Sequence, residues 1–526
     1  MAAVDISPAA ALYRRARVPT PTAVVYEGRE ISAEELGRTA GEFAAGLSER
    51  GLRRGDRVAY LGFNSATFLE TLFAAAHLGA VFVPVNFRLA ADEVRHILND
   101  CGAHTLVVEE GHRELVESIL TDVPARNHVL VDTDPACPAA PLTAPTWTPL
   151  SRLRGPHRPV REPVALYDDD LAALMYTSGT TGRPKGVMLT HGNLWWNAVN
   201  VDSVVDTRCD DVNLAVAPLF HIGGLNALTL RTLVRGGTVV VRRAFDPARC
   251  LEDLVDHRVN SLFAVPAMFA ALARVPGFAE ADLGALRSAI VAGAPVPPQL
   301  IRDYADRGVL LQQAWGLTET APFATYLPAG LTREKTGSAG VPMPYTGIRL
   351  MHPGTGAAID GHDVRGEICV RGPNVTPGYW DNPDATRAAF DDTGWFHTGD
   401  IAYRDEEGFY YIVDRLKDMI ISGGENVYPA EVERVLAEYP GALEAAVIGV
   451  PDPRWGETVL AVLSCEAGTA PTVEEVRAFA DGYLARYKLP TRVMLIERLP
   501  RNASGKLDKA ELRRWVEAQE PAARTS

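Results

Sequence analysis

The stretch Tyr176-Thr-Ser-Gly-Thr-Thr-Gly-Arg-Pro-Lys-Gly-Val187 limits what this chain can be more than any other part of it. An apolar run, Leu171 to Met175, leads into it and reads as a buried strand. Glycines let successive backbone N–H groups turn into one concavity, and such a concavity holds anions. Ser and Thr hydroxyls add donors, and Lys185 adds a positive charge on a flexible stem. A polyphosphate needs this combination: many donors at short range and no bulky side chain in the way. The pattern is not the common P-loop. Counted from Gly179, that motif needs Gly-Lys-Ser/Thr where this chain has Pro184, Lys185 and Gly186. Gly-Thr-Thr-Gly alone would be a solvated turn. The whole run, placed after a strand, points to a phosphate loop built from Thr177, Ser178, Gly179, Thr180, Thr181, Gly182 and Lys185.

At 526 residues the chain exceeds what one hydrophobic core fills, so two or more domains are expected. The net charge of −14 argues against wrapping nucleic acid, which needs a basic surface; no nucleic-acid partner is expected. Six cysteines, at 101, 137, 209, 250, 369 and 465, form no CxxC pair. That fits a reducing cytosol and supplies no zinc or disulfide framework. No basic-then-apolar leader opens the sequence, and no apolar run nears the ~18–20 residues of a membrane span. A soluble, cytoplasmic protein without stable membrane insertion is the expectation.

Strands and helices alternate along the first part. The pattern predicts a helix from Ile31 to Arg50 capped by Ser32 with Glu35 three residues on, then a strand over 57–61 and a helix over 66–78. A strand over 81–85, a helix over 91–99 and a strand over 105–108 follow. Such alternation argues for an α/β fold, with parallel-rich sheets covered by helices and ligands at the carboxyl ends of strands. Residues 134–163, rich in Pro and Ala, read as a surface connection. From Met419 a strand, a glycine turn and a helix start near Pro429 open a smaller α+β part. Its strands at 445–450 and 459–465 are predicted to have helices between them.

The 176–187 run resembles the phosphate-loop signature of the adenylate-forming enzymes: acyl- and aryl-CoA synthetases, carrier-protein adenylation domains and luciferases. Further segments follow in that family's order over about 330 residues: 217–224, 289–297, 313–320, 395–400, 411–418, 419–433 and 500–507. Each alone would be weak. A His after an apolar run is usually structural, Glu319 would be a surface carboxylate, and Lys506 in Asn-Ala-Ser-Gly-Lys would be a solvated charge. The ordered set is similar to bacterial fatty-acyl and aryl-CoA ligases.

The resemblance implies a large AMP-binding domain over 1–416 and a small mobile domain over 417–526, with Lys417 as the hinge near 415–418. It implies that Gly293, Ala294 and Pro295 lie against adenine, and that Gln313, Ala314, Trp315, Gly316, Leu317 and Ile412 surround the nucleotide. Trp315 replaces the family's usual Tyr, which keeps a stacking ring and loses a phenol hydroxyl. Thr318 would hydrogen-bond phosphate, Glu319 would hold Mg²⁺, Asp400 and Arg415 would contact ribose, and Lys506 would be the adenylation lysine. Ser422, Gly423 and Gly424 would flank the pantetheine of CoA. His221 would line the acid pocket with Gly223, Trp315 and Gly316. Plant hydroxycinnamate ligases carry Tyr where this chain has Gly223, so the pocket is expected to be wider or differently shaped.

The implied reaction is ATP-dependent and has two steps. A carboxylic acid attacks ATP to give acyl-AMP and pyrophosphate, and the CoA thiol then gives acyl-CoA and AMP. Thr177, Lys185, Glu319, His221 and Lys506 are the candidate catalytic residues. A fatty acid and an aromatic acid both remain open. The alternative acceptor is the thiol of a separate carrier protein, or another nucleophile; a non-catalytic nucleotide-binding protein is the reading of another class. Sequence leaves monomer and homodimer equally open. Lys506→Ala is expected to slow acyl-AMP formation ~10²–10³-fold, the usual cost of losing one such charge contact, and to spare thioester formation from supplied acyl-AMP. Separate assays of pyrophosphate release and thioester formation check this, and equal loss of both contradicts it.

Overall fold

The computed structural model describes the chain except residues 1–4, 18–21, 140–145, 156–161, 178–183, 423–424, 454, 482, 503–505 and 520–526. The chain divides into two compact units. One comprises Met1–Ile348 with Cys369–His397, the other Arg349–Ile368 with Thr398–Ser526.

The first unit is built on two large sheets. Seven strands lie in the order Thr148–Pro149, Asn127–Val131, Thr105–Glu109, Arg57–Leu61, Val81–Val85, Leu171–Thr177 and Lys185–Thr190. Only the last pair is antiparallel. In the nine-stranded sheet, Leu311–Gly316, Ser288–Val291, Ser261–Ala264, Val212–Ala215, Thr238–Val241 and Thr22–Tyr26 run parallel as neighbours. Antiparallel strands Phe323–Tyr326 and Arg29–Ser32 flank that block. Parallel strands need cover on both faces, which is why Val81–Val85 is buried along its whole length.

One core gathers Val24, Tyr26 and Val241 from the nine-stranded sheet with Val58, Tyr60 and Val107 from the other. Phe43, Leu47, Phe68 and Phe73, on helices Ala33–Glu49 and Ala66–Leu78, belong to the same core. The outer face of each sheet has its own cluster, around Leu262, Phe269 and Tyr304 in one and Val83, Ile97 and Leu106 in the other. The expected helix start is present: Ser32 Oγ accepts from Glu35 N at 3.0 Å. The α/β class and the early strand and helix positions agree with the sequence pattern. Among the described residues no helix is long and apolar enough to cross a membrane.

In the second unit, residues 400–404 pair antiparallel with Tyr410–Arg415. A terminal sheet holds Glu425–Val427, Ile420–Ser422, Gly456–Cys465 and Ala442–Asp452, with Arg492–Leu495 parallel to Gly456–Cys465. Val447, Val459 and Leu463 face helices Pro429–Leu436 and Val473–Ala480. Ile448, Leu460 and Val462 face helix Lys509–Gln519.

Two expectations fail. No helix separates the strands predicted at 445–450 and 459–465. They pair directly, from Ala442 with Cys465 to Asp452 with Gly456. Both faces of this hairpin are covered by helices later or earlier in the chain, so residues 445–450 and 459–463 are apolar runs without the alternation that marks a simple hairpin. The 134–163 connection is not all surface: Trp147, Leu150 and Leu153 are buried, and Thr148–Pro149 extends a sheet. Elements of two and four residues are too short to show a period.

Gly316 ends a central strand where a Cβ would stand 1.9 Å from the carbonyl oxygen of Pro322. Backbone must move to admit any side chain. Gly316→Ala is therefore expected to cost about 2–3 kcal/mol of stability, whereas Gly330→Ala, with nothing within 4 Å, should be near neutral. Chemical denaturation of the two variants checks this, and equal midpoints contradict it.

Candidate active site

The residues singled out by sequence fall into two groups, one in each unit. In the first unit the central object is the hairpin of Leu171–Thr177 and Lys185–Thr190, which sets Thr177 opposite Lys185. The loop residues Ser178, Gly179, Thr180, Thr181 and Gly182 lie outside the described residues. Their flanks are firmly held. Met188 N donates to Gly378 O at 3.0 Å and Trp380 N donates to Gly186 O at 2.8 Å, so the segment 376–380 runs along the hairpin. Tyr176 OH donates to Asp100 at 2.6 Å.

That segment carries Tyr379 to a position the sequence did not single out. Lys185 Nζ lies 5.5 Å from its ring centroid, and its hydroxyl donates to Glu319 Oε1 at 3.0 Å. Burial, then the Glu319 charge, hold the phenol well above its ordinary pKa, so it remains a donor. Lys185 has no ion pair among the described residues. A cation, a carboxylate and a phenol thus share one place although their positions span about two hundred residues. The only sequence signal at Tyr379 was a pair of aromatics after Pro377-Gly378.

Glu319 sits in a 3-10 turn, Thr318–Thr320, at the carboxyl end of strand Leu311–Gly316. Ala321 adopts φ 61° and the Ala321–Pro322 bond is cis. On the same strand, Gln313 is buried and its side-chain nitrogen has no partner among the described residues. Ala314, Trp315, Gly316, Leu317 and Thr318 are half-buried, and Gly293, Ala294 and Pro295 are exposed after strand Ser288–Val291. An orphaned amide donor beside half-buried rim residues suits a polar ligand.

His221 precedes the short helix Ile222–Asn226, and its N–H donates to Pro218 O at 3.1 Å. Its ring lies 4.3 Å from that of Phe220, which meets Phe87 edge-on at 5.3 Å. A cleft of about 240 Å³, lined by Phe63, Phe87, Arg88, Pro218 and Met268, opens beside this segment. Gly223 opens no empty space. A Cβ there would stand 2.6 Å from Cζ of Phe263, whose ring takes the space. Phe263 and Phe323 rings are 6.1 Å apart. Sequence reasoning missed Phe263 because a half-buried Phe in a strand is indistinguishable from core.

The second unit brings three predicted residues together. Asp400 and Arg415 are register partners, and Arg415 Nε meets Asp400 Oδ1 at 2.6 Å. Lys506 is near enough to feel both. Crowding around its ammonium, then the Arg415 guanidinium, lower its pKa although the residue is exposed overall, and Asp400 opposes the shift. Its own N–H donates to Asn502 Oδ1 at 3.1 Å. Ile412 pairs with Ala402, two register pairs along the same ladder, while Ser422 ends strand Ile420–Ser422 and pairs with Gly456. Gly423 and Gly424 lie outside the described residues, and Lys417 lies in the 3-10 turn Leu416–Asp418.

Comparison with known proteins agrees along nearly the whole chain. Residues 12–380 match the model of the AMP-binding enzyme family and residues 431–506 that of the AMP-binding enzyme C-terminal domain. A feruloyl-CoA synthase of Amycolatopsis sp. is 47% identical over 95% of this chain and 97% of its own. The indoleacetate–CoA ligase of Aromatoleum aromaticum is 40% identical over 95% and 96%. The o-succinylbenzoate CoA synthetase of Bacillus subtilis, solved with its acyl-adenylate intermediate OSB-AMP, is 33% identical with a TM-score of 0.83, covering 95% of this chain and 97% of that one. The same enzyme solved with ATP and magnesium ion has a TM-score of 0.82 at 33% identity, covering 96% and 99%. With both family models matched in order, the chain belongs to the AMP-binding enzymes.

Proposed function

We propose that this protein is an ATP-dependent acid–CoA ligase whose acid is an aromatic monocarboxylate of the phenylpropenoate type. The meeting of Lys185, Tyr379 and Glu319 beside the phosphate-loop hairpin carries the reading. A carboxylate is a poor electrophile, and its attack on a phosphate brings two anions together. Catalysis must therefore come from positioned cations and donors. Thr177 and Lys185, with the loop between them, hold the phosphates. Glu319 and the hydroxyl of Thr318 face the same anion, and Glu319 is the residue that would hold Mg²⁺. When bound, that ion supplies positive charge to the phosphate oxygens, a role suited to a hard cation on carboxylate oxygen.

Gln313 donates to the nucleotide through its orphaned amide. Trp315 and Ala314, with Gly293, Ala294, Pro295, Gly316 and Leu317, form the surface for the base. Asp400 and Arg415 bind ribose, Ile412 packs beside them, and Lys506 attracts the acid and the α-phosphate. The acid's oxygen attacks the α-phosphorus, the bond to the bridging oxygen breaks, and pyrophosphate leaves. In the second step the CoA thiol loses its proton and its sulfur attacks the acyl carbon; AMP leaves with the electron pair. Ser422, Gly423 and Gly424 flank the approaching pantetheine, and rotation near Lys417, between residues 1–416 and 417–526, exchanges Lys506 for that approach.

The choice of an aromatic acid rests on the pocket. Tyr in place of Gly223 would supply an aromatic wall in plant hydroxycinnamate ligases; here Phe263 supplies one from a neighbouring strand. Trp315 and His221 add further flat surface, which suits a ring. The relatives with 47% and 40% identity are named for ferulate and indoleacetate, both aromatic. Pyrophosphate release across a panel of cinnamates, arylacetates, fatty acids and dicarboxylates checks the reading. A phenylpropenoate should give the highest kcat/KM, with free CoA as the acceptor. A fatty acid or dicarboxylate ranking first contradicts the acid, transfer only to a pantetheinylated carrier protein contradicts the acceptor, and no release with any acid contradicts the ligase.

A further inference from the structure

Helix His191–Val204 carries three buried asparagines on one face, Asn193, Asn197 and Asn200. Two more, Asn226 and Asn374, come from distant segments and are equally buried. Their amides converge on the turn that bears Glu319. Asn374 Nδ2 donates to Thr320 O and to Phe323 O, both at 2.9 Å. Asn226 Nδ2 donates to Ala321 O at 2.7 Å. Asn197 accepts from Phe323 N at 3.3 Å and donates to Asn226 O at 2.7 Å. Asn193 donates to Pro373 O and Val375 O, both at 2.9 Å, which fixes the backbone on either side of Asn374. Thr376 N donates to Glu319 O at 2.8 Å. Thr346 Oγ1 donates to Asn374 Oδ1 at 2.8 Å and accepts from Asn200 Nδ2 at 3.2 Å.

We propose that this asparagine lattice is the mount of the cation-holding carboxylate, and that Asn374 is its principal positioning residue. The carbonyls of 319, 320, 321 and 323 are each taken by a group from outside the turn, so the backbone under Glu319 has no freedom to twist. Tyr379 holds the carboxylate at the other end. A hard cation tolerates little error in the angle of its ligand, and residues that orient a ligand are worth nearly as much as the ligand itself. Ordinary satisfaction of buried polar groups would scatter such amides through the core. Here amides from three separate segments serve one six-residue turn. The proposal rests on the reading of Glu319 as the magnesium ligand.

The test titrates Mg²⁺ in pyrophosphate release by the full-length chain and follows hydrogen–deuterium exchange in the same proteins without nucleotide or metal. Asn374→Ala should raise the half-saturating Mg²⁺ concentration about ten- to a hundredfold, as loss of a ligand-orienting group does elsewhere. Thr346→Val keeps the volume, removes the hydroxyl that orients the Asn374 amide, and should act in the same direction by severalfold; it decides the matter if Asn374→Ala does not fold. Exchange over 317–323 should accelerate in both variants. Asn213→Ala, which removes a buried asparagine bonded to Ser261 on a neighbouring strand, should change neither quantity. An unchanged Mg²⁺ requirement in Thr346→Val and Asn374→Ala, beside a raised one in Glu319→Gln, overturns the mount. So does the same change in Asn213→Ala, or faster exchange spread across the whole unit. An unchanged requirement in Glu319→Gln overturns the magnesium reading beneath it.

Discussion

A short backbone ladder governs the candidate site: Gly186 and Met188 of the hairpin bonded to Trp380 and Gly378. Without it Lys185 would be a mobile surface charge, and Glu319, more than a hundred residues later, an ordinary carboxylate. The ladder brings Tyr379 alongside the hairpin, and Tyr379 reaches Glu319. Two opposite charges then face one another across a phenol without neutralising each other in a direct ion pair. Arrangements of this kind gain little stability by themselves, because half-buried charges cost solvation. They are useful when a third, highly charged body fits between them.

The parallel sheets make the ladder possible. The hairpin strand Leu171–Thr177 and the strand Leu311–Gly316 both lead at their carboxyl ends into segments that hold candidate residues, the end at which such sheets bind ligands. Each is braced by neighbours buried on both faces, so its end is a fixed point. Gly316 lets the second strand stop against Pro322, and the turn beyond it presents Glu319. In the second unit the same logic is simpler: two antiparallel strands set Asp400 beside Arg415, and a loop near the end of the chain brings Lys506 within reach of their charges.

Much of this was legible in the sequence. Apolar runs of parallel-strand type and capped helices such as the one begun by Ser32 mark the fold of the first unit. The glycine and hydroxyl run marks a candidate phosphate loop, and Lys185, Glu319, Asp400, Arg415 and Lys506 stand in motifs whose order carries a family resemblance. What stayed hidden depends on distance in space. Tyr379 and Phe263 acquire meaning only from what lies opposite them. The asparagines look like ordinary helix and loop polar residues until their amides are traced to one turn. In the 442–465 hairpin both strands were legible, but their direct pairing was not, because it too depends on which segments meet in space.

The central claim is that the hairpin flanks and Glu319 grip one metal-bound triphosphate. Co-crystals grown with ATP and Mn²⁺, and measured for anomalous scattering, test it directly. The account predicts a manganese peak within ~2.2 Å of a Glu319 carboxylate oxygen, with the β- and γ-phosphates beside Thr177 and Lys185. A manganese peak bound by other residues, with Glu319 turned away from the phosphates, would contradict it.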